Sequence, residues 1–132
     1  MSGSTFKAVT TESAPSPVGP YNQAIIADKW VYCSGQIPLD PFNGEIVGEG
    51  NIEEETRQVL KNLLAVLNKA GAQASNVVRT TIYLTNLKNF NQVNKVYAEV
   101  FEEGISPARA CVEVSALPKG VQVEIDCVAW IG

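Results

Sequence analysis

The chain has 132 residues, a formal net charge of −4 from 10 Lys+Arg and 14 Asp+Glu, and no histidine. Without histidine it supplies no Ser-His-Asp triad, Cys-His dyad, imidazole base or histidine-ligated zinc. Chemistry at neutral pH must come from carboxylates, Arg, Lys, Tyr, Cys, backbone dipoles or water. A pI near 4.8 and the lack of any basic run leave no electrostatic footprint for nucleic acid.

The length fits a single domain spanning 1–132, since domains usually run to roughly 100–200 residues. Hydrophobic residues make up 45% and charged residues 18%, with a mean hydropathy of +0.02, as in an ordinary globule. No apolar run is long enough to span a membrane. Residues 1–10 carry neither an apolar signal core nor an Arg-rich transit pattern, so a cytoplasmic location is expected. The three cysteines, Cys33, Cys111 and Cys127, form an odd set without C-x-x-C spacing, which points to reduced thiols.

A first short strand is expected over Phe6 to Thr10. The segment from Glu12 to Pro20 follows, and its prolines at 15, 17 and 20 exclude a helix or an inner strand. It reads as a stiff surface loop. Ala24-Ile25-Ile26 and Trp30-Val31-Tyr32-Cys33 flank Asp28-Lys29 as a hairpin, and Ser34-Gly35 ends its second strand. Pro38 to Gly50 is mostly turn, with a short strand at Glu45-Ile46-Val47.

Asn51 to Ala70 is the clearest helix. Asn51 and Glu54 have capping-box spacing, and Glu53, Glu54 and Glu55 suit the positive end of the helix dipole. Leu60, Leu63, Leu64, Leu67 and Ala70 form an apolar stripe, and Gly71 stops the helix. Asn76 to Asn86 is β-branched and aromatic, hence a strand. A second helix is expected from Asn89, with Gln92 completing a capping box, to Glu103; its buried stripe is Phe90, Val93, Tyr97, Val100 and Phe101. Two strands end the chain, Ala108 to Ser115 and Val121 to Trp130. The expected architecture is a two-layer α+β fold, with two helices packed on one face of a mixed sheet of about six strands.

Strand periodicity is the physical clue to function. If apolar Ala110, Val112 and Val114 face the helices, then Arg109, Cys111 and Glu113 face away. In the last strand Val121, Val123, Ile125 and Cys127 face the helices, and Gln122, Glu124 and Asp126 face away with Val128 and Trp130. This places Arg109 and Glu124 on one helix-free face. An apolar patch mixed with charges there suggests a subunit interface. Arg109 has the planar fork that matches a carboxylate, and Glu124 could hold a water; the alternative is an interfacial ion pair. Cys111, beside Arg109, is either a thiol acidified by the cation or a small buried side chain. Tyr21 offers a hydroxyl or simply packs. Ser34-Gly35 offers backbone amides or merely turns the chain. Asn94 borders the buried stripe of its helix and needs a partner. No phosphate-loop, dinucleotide or nucleophile-elbow motif occurs, and no ligand-spaced set of carboxylates implies a metal.

Several segments, in order, resemble the RidA (YjgF) imine deaminase family. They are Gly19-Pro20-Tyr21, Ser34-Gly35-Gln36-Ile37-Pro38, Val93-Asn94-x-x-Tyr97, Pro107-Ala108-Arg109-Ala110-Cys111-Val112-Glu113-Val114, Leu117-Pro118-Lys119 and Val123-Glu124-Ile125. The resemblance implies a chorismate-mutase-like fold, a homotrimer with sites between subunits, and no cofactor. It implies hydrolysis of 2-aminoacrylate-derived imines, such as 2-iminopropanoate and 2-iminobutanoate, to 2-oxo acids and ammonia. By match of motif Arg109 clamps the substrate carboxylate and Glu124 positions water, while Tyr21, Ser34, Gly35, Asn94 and Cys111 line the pocket. Ser106 stands where many members carry an aromatic residue, which bears on the preferred substrate side chain. A non-catalytic ligand-binding role and an RNA-directed role are the alternatives; Arg109 speaks for the enzyme, and the acidic charge speaks against RNA.

Overall fold

A computed structural model describes residues 6–132, so the expectation for residues 1–10 lies partly outside the described residues. The strands are β1 (Phe6–Val9), β2 (Ala24–Ala27), β3 (Trp30–Gln36), β4 (Val77–Leu84), β5 (Ala108–Glu113) and β6 (Val123–Trp130). The helices are α1 (Ile52–Lys69) and α2 (Phe90–Phe101). One six-stranded sheet has the order β1-β2-β3-β6-β4-β5. Its pairs are antiparallel except β4–β5, which is parallel and is bridged by α2. The final strand therefore inserts between β3 and β4, and β5 is left as an edge strand.

Local chemistry explains the helix ends. Asn51 accepts a hydrogen bond from the Glu54 amide at 3.1 Å. It is Glu55, not Glu54, that reaches back, accepting from the Gly50 amide at 3.0 Å. Gly71 takes φ 88°, and the Gly71 and Ala72 amides return to the Asn68 and Leu67 carbonyls, the Schellman arrangement that glycine permits. At α2 the expected capping box does not form. Asn86 instead accepts from the Lys88 amide and starts a 3₁₀ turn at Leu87–Asn89. The expected strand at 45–47 reduces to a single bridge between Leu39 and Ile46.

Both helices cover the same sheet face. The core joins Val59, Leu60, Leu63, Val66 and Leu67 of α1 to Val93, Val96 and Phe101 of α2. Beneath them lie Val31, Ile82, Leu84, Val123, Ile125 and Ala129. Two polar side chains of α1 are buried with this stripe. Asn62 donates to the Ile37 and Leu39 carbonyls at 3.2 and 2.9 Å, tying down the loop after β3. Glu55 is 1% exposed and accepts from both the backbone and side-chain nitrogens of Gln122, at 2.9 and 3.0 Å. It thereby fixes the entry to β6.

The facing of β5 corrects the periodicity argument. Thr80, Ile82 and Leu84 of β4 are buried under the helices, and their register partners are Arg109, Cys111 and Glu113. Parallel partners share a face, so these three point to the helix side. Ala110 and Val112 point away, and Val112 is 42% exposed. Apolar alternation predicts Ala110 and Val112 in the core, yet on this edge strand they lie on the open face. Arg109 can occupy the helix side because its long stem carries the charged head out over the Phe90 and Tyr97 rings.

Candidate functional site

The sequence-predicted residues divide into two groups on opposite sides of the sheet. The first surrounds Arg109. Its Nη1 donates to Asn94 Oδ1 at 2.7 Å. Its guanidinium carbon lies 4.9 Å from the Tyr97 ring centroid and 5.5 Å from that of Phe90. The Tyr97 and Thr80 hydroxyls are 2.7 Å apart in the core, which anchors the tyrosine ring. The guanidinium opens onto a cleft of about 560 Å³, bordered by Ala98, Phe101, Glu102, Ser106 and Pro107. Among the described residues the ion pairs are Arg57–Glu99 and Lys95–Glu53, so no carboxylate neutralises Arg109.

Cys111 follows Arg109 on the same face, opposite Ile82, and packs against the core. Burial pushes its thiol upward, and the Arg109 charge offsets this only in part. The acidified thiol considered from sequence is not what the fold creates.

The second group surrounds Glu124, which faces away from the helices. Between the Cys33–Cys127 and Gln36–Ile125 pairs, Ser34 and Gly35 stand opposite Asp126 alone. This bulge bends β3 beside the Glu124 side chain. A Cβ at Gly35 would overlap the Glu124 carboxylate oxygen and lie 2.8 Å from its Cδ, so any side chain there would displace the carboxylate. Ser34 Oγ donates to the Asn22 carbonyl at 2.6 Å. Tyr21 projects from the proline loop, its hydroxyl accepting from the Val18 amide at 3.2 Å. Together with Val18, Ile37, Pro118 and Lys119 these residues border a second cleft of about 480 Å³. Burial raises the Glu124 carboxyl above its usual range, and the Asp126 charge adds to the rise. Asp126 itself accepts from the Tyr83 hydroxyl at 3.0 Å.

Arg109 and Glu124 thus do not converge within one chain. Sequence reasoning also passed over Gln23, which is buried and holds the proline loop through bonds to Thr11, Ala14 and Pro15. A lone glutamine ahead of a strand gives no signal of that role. Glu55 and Asn62 did leave a signal, because each is a polar residue within an apolar helical stripe. A wider cleft of about 620 Å³ at the start of α1 contains none of the predicted site residues, and its Glu53 and Glu54 repel anions. Among the described residues no group of three or more His, Cys, Asp or Glu side chains is placed to hold a metal ion.

Known proteins match the chain over nearly its whole length. A family model described as Endoribonuclease L-PSP matches residues 11–131. This chain belongs to that family, the RidA (YjgF) family. Among RidA-family relatives, a RutC family protein of Synechocystis is 54% identical over 125 residues, covering 95% of this chain and 96% of its own. The 2-iminobutanoate/2-iminopropanoate deaminase of Homo sapiens is 43% identical, covering 100% of this chain and 95% of its own. The solved structure of the Rid protein YyfA from Yersinia pestis superposes with a TM-score of 0.92 at 51% identity, covering 96% of this chain and 99% of that one. Escherichia coli TdcF with bound serine superposes at 0.90 and 35% identity, with coverages of 96% and 99%. The RidA match confirms the mixed α+β sheet with two helices. No helix among the described residues is long and apolar enough to cross a membrane.

Proposed function

We propose that the protein hydrolyses small 2-imino acids, 2-iminopropanoate and 2-iminobutanoate among them, to 2-oxo acids and ammonia. The working form in this reading is a homotrimer. Each site joins the Arg109 cleft of one subunit to the Glu124 cleft of the next. The opposed placement of the two groups supports this arrangement, because a second copy brings together what one chain keeps apart. So does the open sheet face, where Ala110, Val112, Tyr32 and Val128 present apolar surface outside the core. Identity with deaminases across the whole chain supports the reaction class.

The chemistry needs little apparatus. The substrate carboxylate forms paired hydrogen bonds with Arg109, which orients the imine carbon. Glu124 takes a proton from water as the water oxygen bonds to that carbon and delivers it to the imine nitrogen, giving a carbinolamine. The same carboxylate then takes the hydroxyl proton of the carbinolamine and passes it to the amine nitrogen as the C=O bond forms and the C–N bond breaks, so ammonia leaves a 2-oxo acid. Water supplies the oxygen, and no electrons are exchanged with a cofactor.

The observation that carries this reading is Arg109, a guanidinium free of carboxylate partners at the mouth of a cleft. The test couples an amino-acid dehydratase to the protein and follows imine loss against the spontaneous rate. Arg109→Ala should lower kcat/KM by about a hundredfold or more, in line with loss of a charge-assisted bidentate contact. Equal rates for the wild type and Arg109→Ala would remove the assignment. The family description supplies the motive for a second reading, RNA cleavage. Incubation with single-stranded RNA at low salt tests it directly, and a net charge of −4 predicts no cleavage.

A further inference from the structure

We propose that Phe90 and Tyr97 are positioning residues that hold the Arg109 guanidinium by its faces and leave its edges free for an anion. This rests on the reading of Arg109 as a carboxylate clamp and says how the clamp keeps its direction. A long arginine on an edge strand would otherwise sample many rotamers, and ordering it costs entropy when the ligand arrives. Most proteins would fix such a cation with a carboxylate. Here a carboxylate would compete with the substrate for the same N–H groups.

An aromatic face solves that conflict. Its quadrupole attracts the cation without accepting the in-plane hydrogen bonds that a carboxylate ligand needs. Both ring centroids lie within the roughly 6 Å over which this attraction acts. Phe90, Asn94 and Tyr97 fall at i, i+4 and i+7 on α2, so one helical face supplies both rings and the amide. Asn94 Oδ1 uses one of the five guanidinium N–H groups and sets the rotation of the plane. Tyr97 is fixed in turn by Thr80, the register partner of Arg109 on β4. Helix and strand therefore meet on the same side chain.

Phe90 is only partly buried, so its substitution leaves the core intact. In steady-state assays, Phe90→Leu should raise KM about three- to fivefold while kcat stays within about twofold, the range expected for losing one partly exposed cation–π contact. Phe90→Tyr, which keeps the ring, should restore KM. Calorimetry with 2-oxobutanoate gives an arm that is independent of turnover. Its dissociation constant should rise by the same factor in Phe90→Leu, and the methyl ester of 2-oxobutanoate should bind weakly to both proteins. If the wild type turns over no imine but binds 2-oxobutanoate with this dependence on Phe90, the cradle stands and the catalytic reading falls. Wild-type binding that Phe90→Leu leaves unchanged, or a loss that Phe90→Tyr does not repair, overturns the cradle. Failure of the wild type to bind 2-oxobutanoate overturns it as well.

Discussion

Glu124 shares the open face of β6 with Asp126, whose charge disfavours ionisation of the Glu124 carboxyl. Burial is the larger cause of the raised Glu124 value and the Asp126 charge is the second. A carboxylate must be ionised to take a proton from water, so activity should climb with pH through a range above the ordinary glutamate value of about 4.3. Asp126→Asn should move this acid limb down toward the ordinary range, as read in the pH profile of kcat/KM. Stability should carry the opposite sign. A carboxyl raised in the folded state contributes stability below its unfolded value and loses it as pH rises through the folded one. Wild type should therefore weaken relative to Glu124→Gln across that same range in urea unfolding. With no histidine in the chain, no imidazole step complicates either curve.

At the scale of elements, α1 is the part of the fold that the sequence shows most plainly. An asparagine cap, three acidic residues, a leucine stripe and a terminal glycine all agree, and local rules of this kind act within a few residues of chain. Its buried Glu55 is the residue that couples it to β6. Glu55→Ala would leave the Gly50 and Gln122 amides without their acceptor, and a loss of about 2–3 kcal/mol is expected in denaturant unfolding at pH 7. β5 was legible as a strand but not in its facing. Ala110 and Val112 look like core residues because apolar alternation does not itself say which face of the sheet it marks. Strand alternation then puts Arg109 on the helix-free face, and nothing local shows that its long stem can reach along the helix side instead. The bulge at Ser34-Gly35 was equally hidden, since it depends on register with β6, nearly a hundred residues away in the chain. Arg109 and Glu124 lie on two sides of the sheet because the register of β5 with β4 turns Arg109 to the helix side, while Glu124 stays on the open face of β6.

For the whole molecule, the open face must be met by another surface if the proposed sites are to form. A mass of three chains by light scattering at micromolar concentration is the expected result, and a monomer would exclude shared sites. The opposed placement of Arg109 and Glu124 carries a sharper consequence. A ring in which each subunit lends one group forward and receives the other from behind can be repaired by mixing. Arg109→Ala and Glu124→Gln, each strongly impaired alone, should regain activity when unfolded together in equal amounts and refolded. About one site in four would then pair an intact arginine with an intact glutamate across a heterologous contact. The activity belongs, on this reading, to the seam and not to the subunit, and two defective genes in one cell would complement each other at the level of protein.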